Sequence, residues 1–311
     1  MMTAATWLDN ARPPLDDTMK PGLLAAALAY GLWGVFPIYI KQVAHVDAVQ
    51  VVAHRSLWSL VFVFALLAVW RRLAWLKAAL ADRHTLRVFA ASAALLSVNW
   101  GVYVWAVSAG RVVDASLGYF INPLVNVLLG VLVLGERPRP VQWVAVGIAA
   151  LGVAWLIVGA GEWPWIALVL ACSFGTYGLL RKTAPLGATE GLGLETLMQA
   201  PVAVAVLAWV AWQGQAAMTL ADPATSAWLL LAGPFTAIPL LLFAAAARQL
   251  TLATLGLMQY LGPTIQFLLG VFLYDEPFTA QRAVGFALIW CALALYSGES
   301  WRQWRQLPAS R

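Results

Sequence analysis

The strongest constraint on this chain is a series of ten apolar stretches, each about 20 residues long, most of them joined by very short connections. A helix rises 1.5 Å per residue, so about 20 apolar residues cover the roughly 30 Å hydrocarbon core of a bilayer. The stretches fall at 21–43, 47–70, 86–108, 112–134, 139–159, 163–181, 190–212, 226–247, 252–274 and 280–298. Short connections make consecutive helices antiparallel neighbours, and no soluble domain fits between them. With 62% hydrophobic and 11% charged residues, the chain has too little polar side chain to cover a water-soluble surface. The expected fold is all-α and integral to the membrane, with ten transmembrane helices.

Lys and Arg set the expected orientation. With the N-terminus inside, fifteen of the 19 fall in inner segments, Lys41, Arg111 and Arg282 lie outside, and Arg55 is left within a span. That bias places both termini in the cytoplasm. The first apolar segment outruns the core of a signal peptide and reads as an uncleaved span. The net charge of +5 does not imply nucleic acid as a partner, because the basic residues sit between spans rather than on one folded face. Trp70, Trp163, Trp165, Trp212 and Trp301 fall at predicted helix ends, where an interfacial aromatic belt is expected.

The chain also repeats itself. "YFINPLVNVLLGVLVLGE", 119–136, aligns with "QYLGPTIQFLLGVFLYDE", 259–276, pairing Pro123 with Pro263, Gly130 with Gly270 and Glu136 with Glu276. A weaker echo pairs "LWGVFPIYIK", 32–41, with "FGTYGLLRK", 174–182. Each half holds five spans, an odd number, so the second half enters the membrane inverted. The expected division is a cytoplasmic segment 1–20, a first repeat 21–159, a second, inverted repeat 163–298 and a cytoplasmic tail 299–311. Inverted repeats imply alternating access, with two similar halves rocking about a site near the midplane.

Arg55 lies about 12 Å deep in the second span, taken at 1.5 Å per residue. A cation there either snorkels outward or faces a polar cavity, where its planar fork suits a carboxylate or phosphate. Its neighbour His54 either shares the cavity edge or bonds an adjacent helix. Glu195 is the carboxylate well inside an apolar segment; it either carries a proton, binds a substrate amine, or reaches the inner interface. Under the repeat it is the counterpart of Arg55, about 10 Å away along the axis of a 30 Å core, too far for a direct ion pair. Asn99 and Tyr103 share a face with Trp100 beside them. Tyr119, Asn122 and Asn126 form a second stripe, and Gln259, Tyr260 and Gln266 a third. Cavity lining and helix–helix hydrogen bonding explain such stripes equally well residue by residue. Pro123 and Pro263 free the carbonyls of residues 119 and 259, and with Pro37 and Pro201 they are candidate hinges.

No Gly-rich phosphate loop is present, and three histidines offer no metal-ligand cluster. No nucleophile–base pair is visible in the spans. No enzyme activity, cofactor or metal is therefore expected.

The stretches "AHRSLWS", "NWGVYVWAV", "ASLGYFINPLVNVLLGVLVLGE", "GLETLMQAP" and "QYLGPTIQFLLGV" together resemble RarD-type proteins of the EamA group, in the drug/metabolite transporter superfamily. The resemblance runs from about residue 20 to 298. It implies ten helices in two inverted five-helix repeats, a central cavity, and the bacterial inner membrane. Motif positions map onto His54, Arg55, Trp58, Asn99, Trp100, Tyr103, Tyr119, Asn122, Glu195, Thr196, Gln259, Tyr260 and Gln266. Relatives export amino acids, related metabolites and drugs. The leading expectation is a secondary exporter of a small amino-acid-like or amphipathic metabolite, with Arg55 holding a carboxylate and Glu195 an amine or a proton. Proton-coupled multidrug or amphenicol efflux, and a solute sensor without flux, are the alternatives. Membrane lipid surrounds the chain in all three, and monomer and homodimer are both left open.

Overall fold

The structure is a computed structural model that describes residues 19–109, 111–160, 163–274 and 280–306. Its elements are α1 (Met19–Gln42), α2 (Ala48–Val69), α3 (Trp75–Ala81), α4 (Arg83–Ser108), α5 (Val112–Leu134), α6 (Pro140–Ala160), α7 (Trp165–Thr183), α8 (Ala188–Trp212), α9 (Pro223–Gln249), α10 (Leu252–Gln259), α11 (Leu261–Leu273) and α12 (Ala280–Gln306). Among the described residues, one isolated bridge between Thr219 and Asp222 is the only β-pairing. In lipid a helix satisfies every backbone group within itself, which is why apolar runs of this length become helices.

Eight stretches among the described residues are long and apolar enough to cross a bilayer. The other two expected spans are also helical. α7 has 19 residues and ends in Arg181 and Lys182, and α12 carries an apolar stretch over Ala283–Glu299. Three details differ from the sequence reading. The connection after α2 contains the short helix α3. α12 continues to Gln306, so the expected tail 299–311 begins as helix, while 307–311 lie outside the described residues, as do residues 1–18. The ninth stretch is two helices, α10 and α11, meeting at Tyr260. Glu276, the repeat partner of Glu136, also lies outside the described residues.

Numbering the ten expected stretches one to ten, with α10 and α11 together as the ninth, the main packed pairs between stretches one to five and six to ten are 1·8, 3·6, 2·8, 3·7, 4·6, 1·9, 2·7, 4·9 and 5·10. Shifting every stretch by five returns the same set: 1·8 becomes 6·3, 2·8 becomes 7·3, 4·6 becomes 9·1, and the last three map onto themselves. The packing thus has the same internal symmetry as the sequence.

Helix ends are fixed locally. Asp47 caps α2 by accepting from the amide of Val49 at 2.9 Å, and Asp222 caps α9 at Thr225, 3.0 Å, just before Pro223. Asp82 accepts from the amides of His84 and Thr85 and from the Thr85 hydroxyl. These bonds hold its carboxyl below the usual carboxylate range, so what they add to folding is present at neutral pH and lost on acidification. α5 ends in Gly135, whose φ of 65° is the left-handed turn glycine tolerates. The chain then doubles back, and Glu136 accepts from the amides of Leu252 and Ala253 at 2.8 and 3.1 Å, capping α10. A Cβ at Gly130 would lie 2.5 Å from the Glu136 carboxylate, so glycine there clears its path. Beside it the Lys182 ammonium donates to the carbonyls of Ala247 and Leu250 at the end of α9.

Gly233 on α9 meets the backbone of α2: a Cβ there would stand 2.4 Å from the Trp58 carbonyl, and Ser59 Oγ donates to Gly233 O at 3.2 Å. Small residues let membrane helices pack backbone to backbone. Gly233→Ala is expected to destabilise the protein by about 1–3 kcal/mol through overpacking, read as a lowered thermal midpoint in detergent. Gly147→Ala on α6, where nothing lies within 4 Å of the added carbon, is its neutral control.

Candidate substrate site

Arg55, on α2, is 7% exposed. Its guanidinium carbon lies 3.2 Å from the ring centroid of Trp100 on α4, a cation–π stack. One helical turn on, Tyr103 meets Trp100 edge-on at 5.5 Å, and Tyr119 of α5 meets Tyr103 at 6.2 Å. Tyr39 of α1 stands in electrostatic reach of Arg55 with Tyr103 and Tyr119, and its hydroxyl donates to Trp228 O at 3.3 Å. Tyr119 is 36% accessible. Among the described residues, no carboxylate lies within ion-pair distance of Arg55. Stacking covers a face of the guanidinium and leaves its in-plane N–H edges available, the geometry that recognises a carboxylate.

Glu195, on α8, is not brought to this cluster. It is fully buried, accepting from Ser92 Oγ of α4 and, at 3.4 Å, from the hydroxyl of Tyr177 on α7. Arg181 Nη1 lies 3.5 Å from its Oε1, with both side chains at most 1% exposed. Arg181 also donates to the carbonyls of Gly187 and Ala188 at 3.3 and 2.9 Å, which pins the start of α8. A Cβ at Gly191 would overlap the guanidinium. The sequence reading counted Arg181 among the basic residues of an inner segment. It missed Ser92, Tyr177 and Tyr39 altogether, although the four-residue spacing of Tyr177 and Arg181 marks a shared face.

Five of the remaining polar residues, Asn99, Asn122, Asn126, Tyr260 and Gln266, bond from one helix to another. Asn99 donates to Leu170 O at 2.9 Å and to Ser173 Oγ at 3.0 Å. Asn122 donates to Ala171 O, and Asn126 donates to Asn122 and to Gln259 Oε1, each near 3 Å. The Tyr260 hydroxyl donates to Phe120 O, and Gln266 donates to Trp33 O. Thr196 bonds its own helix at Leu192 O and Gly193 O. His54 is buried, and its Nδ1 has no hydrogen-bond partner among the described residues. Helices run unbroken through Pro37, Pro123 and Pro201, whereas Pro263 sits in the first turn of α11, where its missing N–H suits the break at Tyr260.

Comparison with known proteins agrees with this architecture. The EamA-like transporter family matches residues 20–158. An uncharacterized transporter of Pseudomonas aeruginosa is 43% identical over 93% of this chain and 97% of its own. "Protein RarD" of Streptomyces exfoliatus is 42% identical over 94% of this chain and 93% of its own, and "Protein RarD" of Escherichia coli is 42% identical over 89% and 94%. A solved structure described as "Crystal structure of protein" superposes with a TM-score of 0.69 at 18% identity, over 89% of this chain and 97% of that one, which shows a shared fold. Relatives 42–43% identical over nearly the whole of both chains, together with the family match over residues 20–158, show the family: the protein belongs to the EamA-like transporter family and is a RarD-type membrane transporter.

Proposed function

We propose that this protein is a secondary transporter that exports a small amphipathic metabolite by alternating access, with the solute's anionic end docked at Arg55. The carrying observation is the Arg55 guanidinium, stacked on Trp100 beside an accessible Tyr119, with no carboxylate partner among the described residues. An intramembrane charge is expensive unless something pairs with it, and a translocated anion supplies the missing charge. The 21–159 and 163–298 segments act as two inverted repeats in this reading; support comes from the offset sequence repeat and from a packing pattern unchanged by a five-stretch shift. The bacterial inner membrane, with both termini cytoplasmic, is the proposed setting, supported by the Lys and Arg distribution.

Glu195 enters as a brace rather than as the holder of a substrate amine, because Ser92, Tyr177 and Arg181 already occupy its oxygens. Counterflow tests the proposal: proteoliposomes preloaded with an unlabelled organic acid should accumulate the labelled acid from outside, saturably. Binding in detergent without any counterflow would point to a sensor and overturn the transport reading.

A further inference from the structure

The chemistry around Arg55 narrows the solute beyond an anionic end. We infer that it is a flat aromatic monocarboxylate without an α-ammonium group; this rests on the proposed docking of an anion at Arg55. An amino acid brings two charges, and its ammonium needs an acceptor close to the carboxylate site. Among the described residues, the buried carboxylate of the membrane interior, Glu195, is closed off by Arg181, Ser92 and Tyr177. Of the amide oxygens in the polar core, those of Asn122 and Gln259 accept from Asn126, and that of Asn126, buried with no partner among the described residues, lies against Gly175 and Gly178 of α7 rather than toward Arg55. An α-ammonium next to a bound carboxylate would instead face the Arg55 guanidinium, a like charge in a low-dielectric enclosure. A monoanion leaves the site neutral; a zwitterion leaves one positive charge unpaired.

The walls define the rest of the molecule. Beside the guanidinium, Trp100, Tyr103 and Tyr119 form an edge-to-face series, and the last of them is 36% accessible. Such a series accepts another flat ring edge-on or offset, where a puckered ring of equal size lies badly.

A matched series tests both features on the full-length protein in detergent: 3-phenylpropanoate, phenylalanine, phenethylamine and 3-cyclohexylpropanoate, read by thermal stabilisation and by quenching of tryptophan fluorescence. The acid should bind at least tenfold more tightly than phenylalanine, phenethylamine should not bind, and the cyclohexyl acid should be several-fold weaker. Arg55→Gln should abolish binding of the acid, with its own unfolding curve showing that the fold survives; Arg55→Lys keeps the charge and separates lost charge from lost fork geometry. If phenylalanine binds as tightly as the acid and both depend on Arg55, the exclusion of the amine is wrong and the docking site stands. If the cyclohexyl acid matches the aromatic one, flatness is not selected. Failure of 3-phenylpropanoate to bind sinks the inference, and binding that survives Arg55→Gln sinks the docking site itself.

Discussion

Arg55→Gln is expected to lower solute flux between about thirtyfold and several thousandfold, the span of the roughly 2–5 kcal/mol lost when one partner of a buried charge pair is truncated. Stability should move the other way or stay level. The guanidinium is 7% exposed and lacks a carboxylate among the described residues, so glutamine removes a desolvated charge and forfeits only its stack on Trp100. Flux and thermal unfolding measured on the same preparation separate the two effects. A variant that transports normally would show that Arg55 is a bystander, and one that loses flux and fold together would show that it is structural. Arg55→Lys should fall between, since an ammonium restores charge without the planar pair of donors.

Glu195→Ala is expected to destabilise the protein by about 3–5 kcal/mol, because it leaves the Arg181 guanidinium buried without its counter-ion. The pair is 3.5 Å apart and almost inaccessible to water, so solvent cannot rescue the orphan. Glu195→Leu combined with Arg181→Met removes both charges at similar volume and should recover most of the loss. A double-mutant cycle of thermal or denaturant unfolding in detergent measures the coupling. Additive single effects would mean that the two residues stabilise the bundle independently. If the neutral double variant also carries solute across a pH gradient as the parent does, Glu195 is not the proton carrier that the efflux alternative requires.

Helix positions were largely legible in the sequence because apolar length marks them: eight of the ten expected stretches are long and apolar enough to cross a bilayer among the described residues. The Arg55 cluster was legible in part: the third stretch puts Asn99 and Tyr103 on one face with Trp100 beside them, and an isolated cation in a span announces an unusual environment. Spacing along one helix does not say which helix that face meets. For that reason Asn122, Asn126 and Gln259, read as possible cavity lining, prove to bond one another, and Glu195, read as a carboxylate on its own, proves to be paired with an arginine from the end of α7. Arg181 lies in a basic cluster at a helix end, where topology explains it so readily that a second role was invisible. The break at Tyr260 was marked by Pro263, whereas the equivalent Pro123 leaves α5 continuous; the difference lies in what surrounds each proline, not in the prolines themselves.

The carboxylate of Glu136 ties two fates together. It follows the fourth stretch, yet it terminates α10 in the other half, and an eight-residue helix has little persistence of its own. If the halves part at that end, as the proposed rocking requires, the anion leaves two amides and the first turn of α10 keeps only the Thr251 hydroxyl, which accepts from the amide of Thr254, as its cap. In that motion, unsealing the bundle and loosening the start of α10 are one event rather than two.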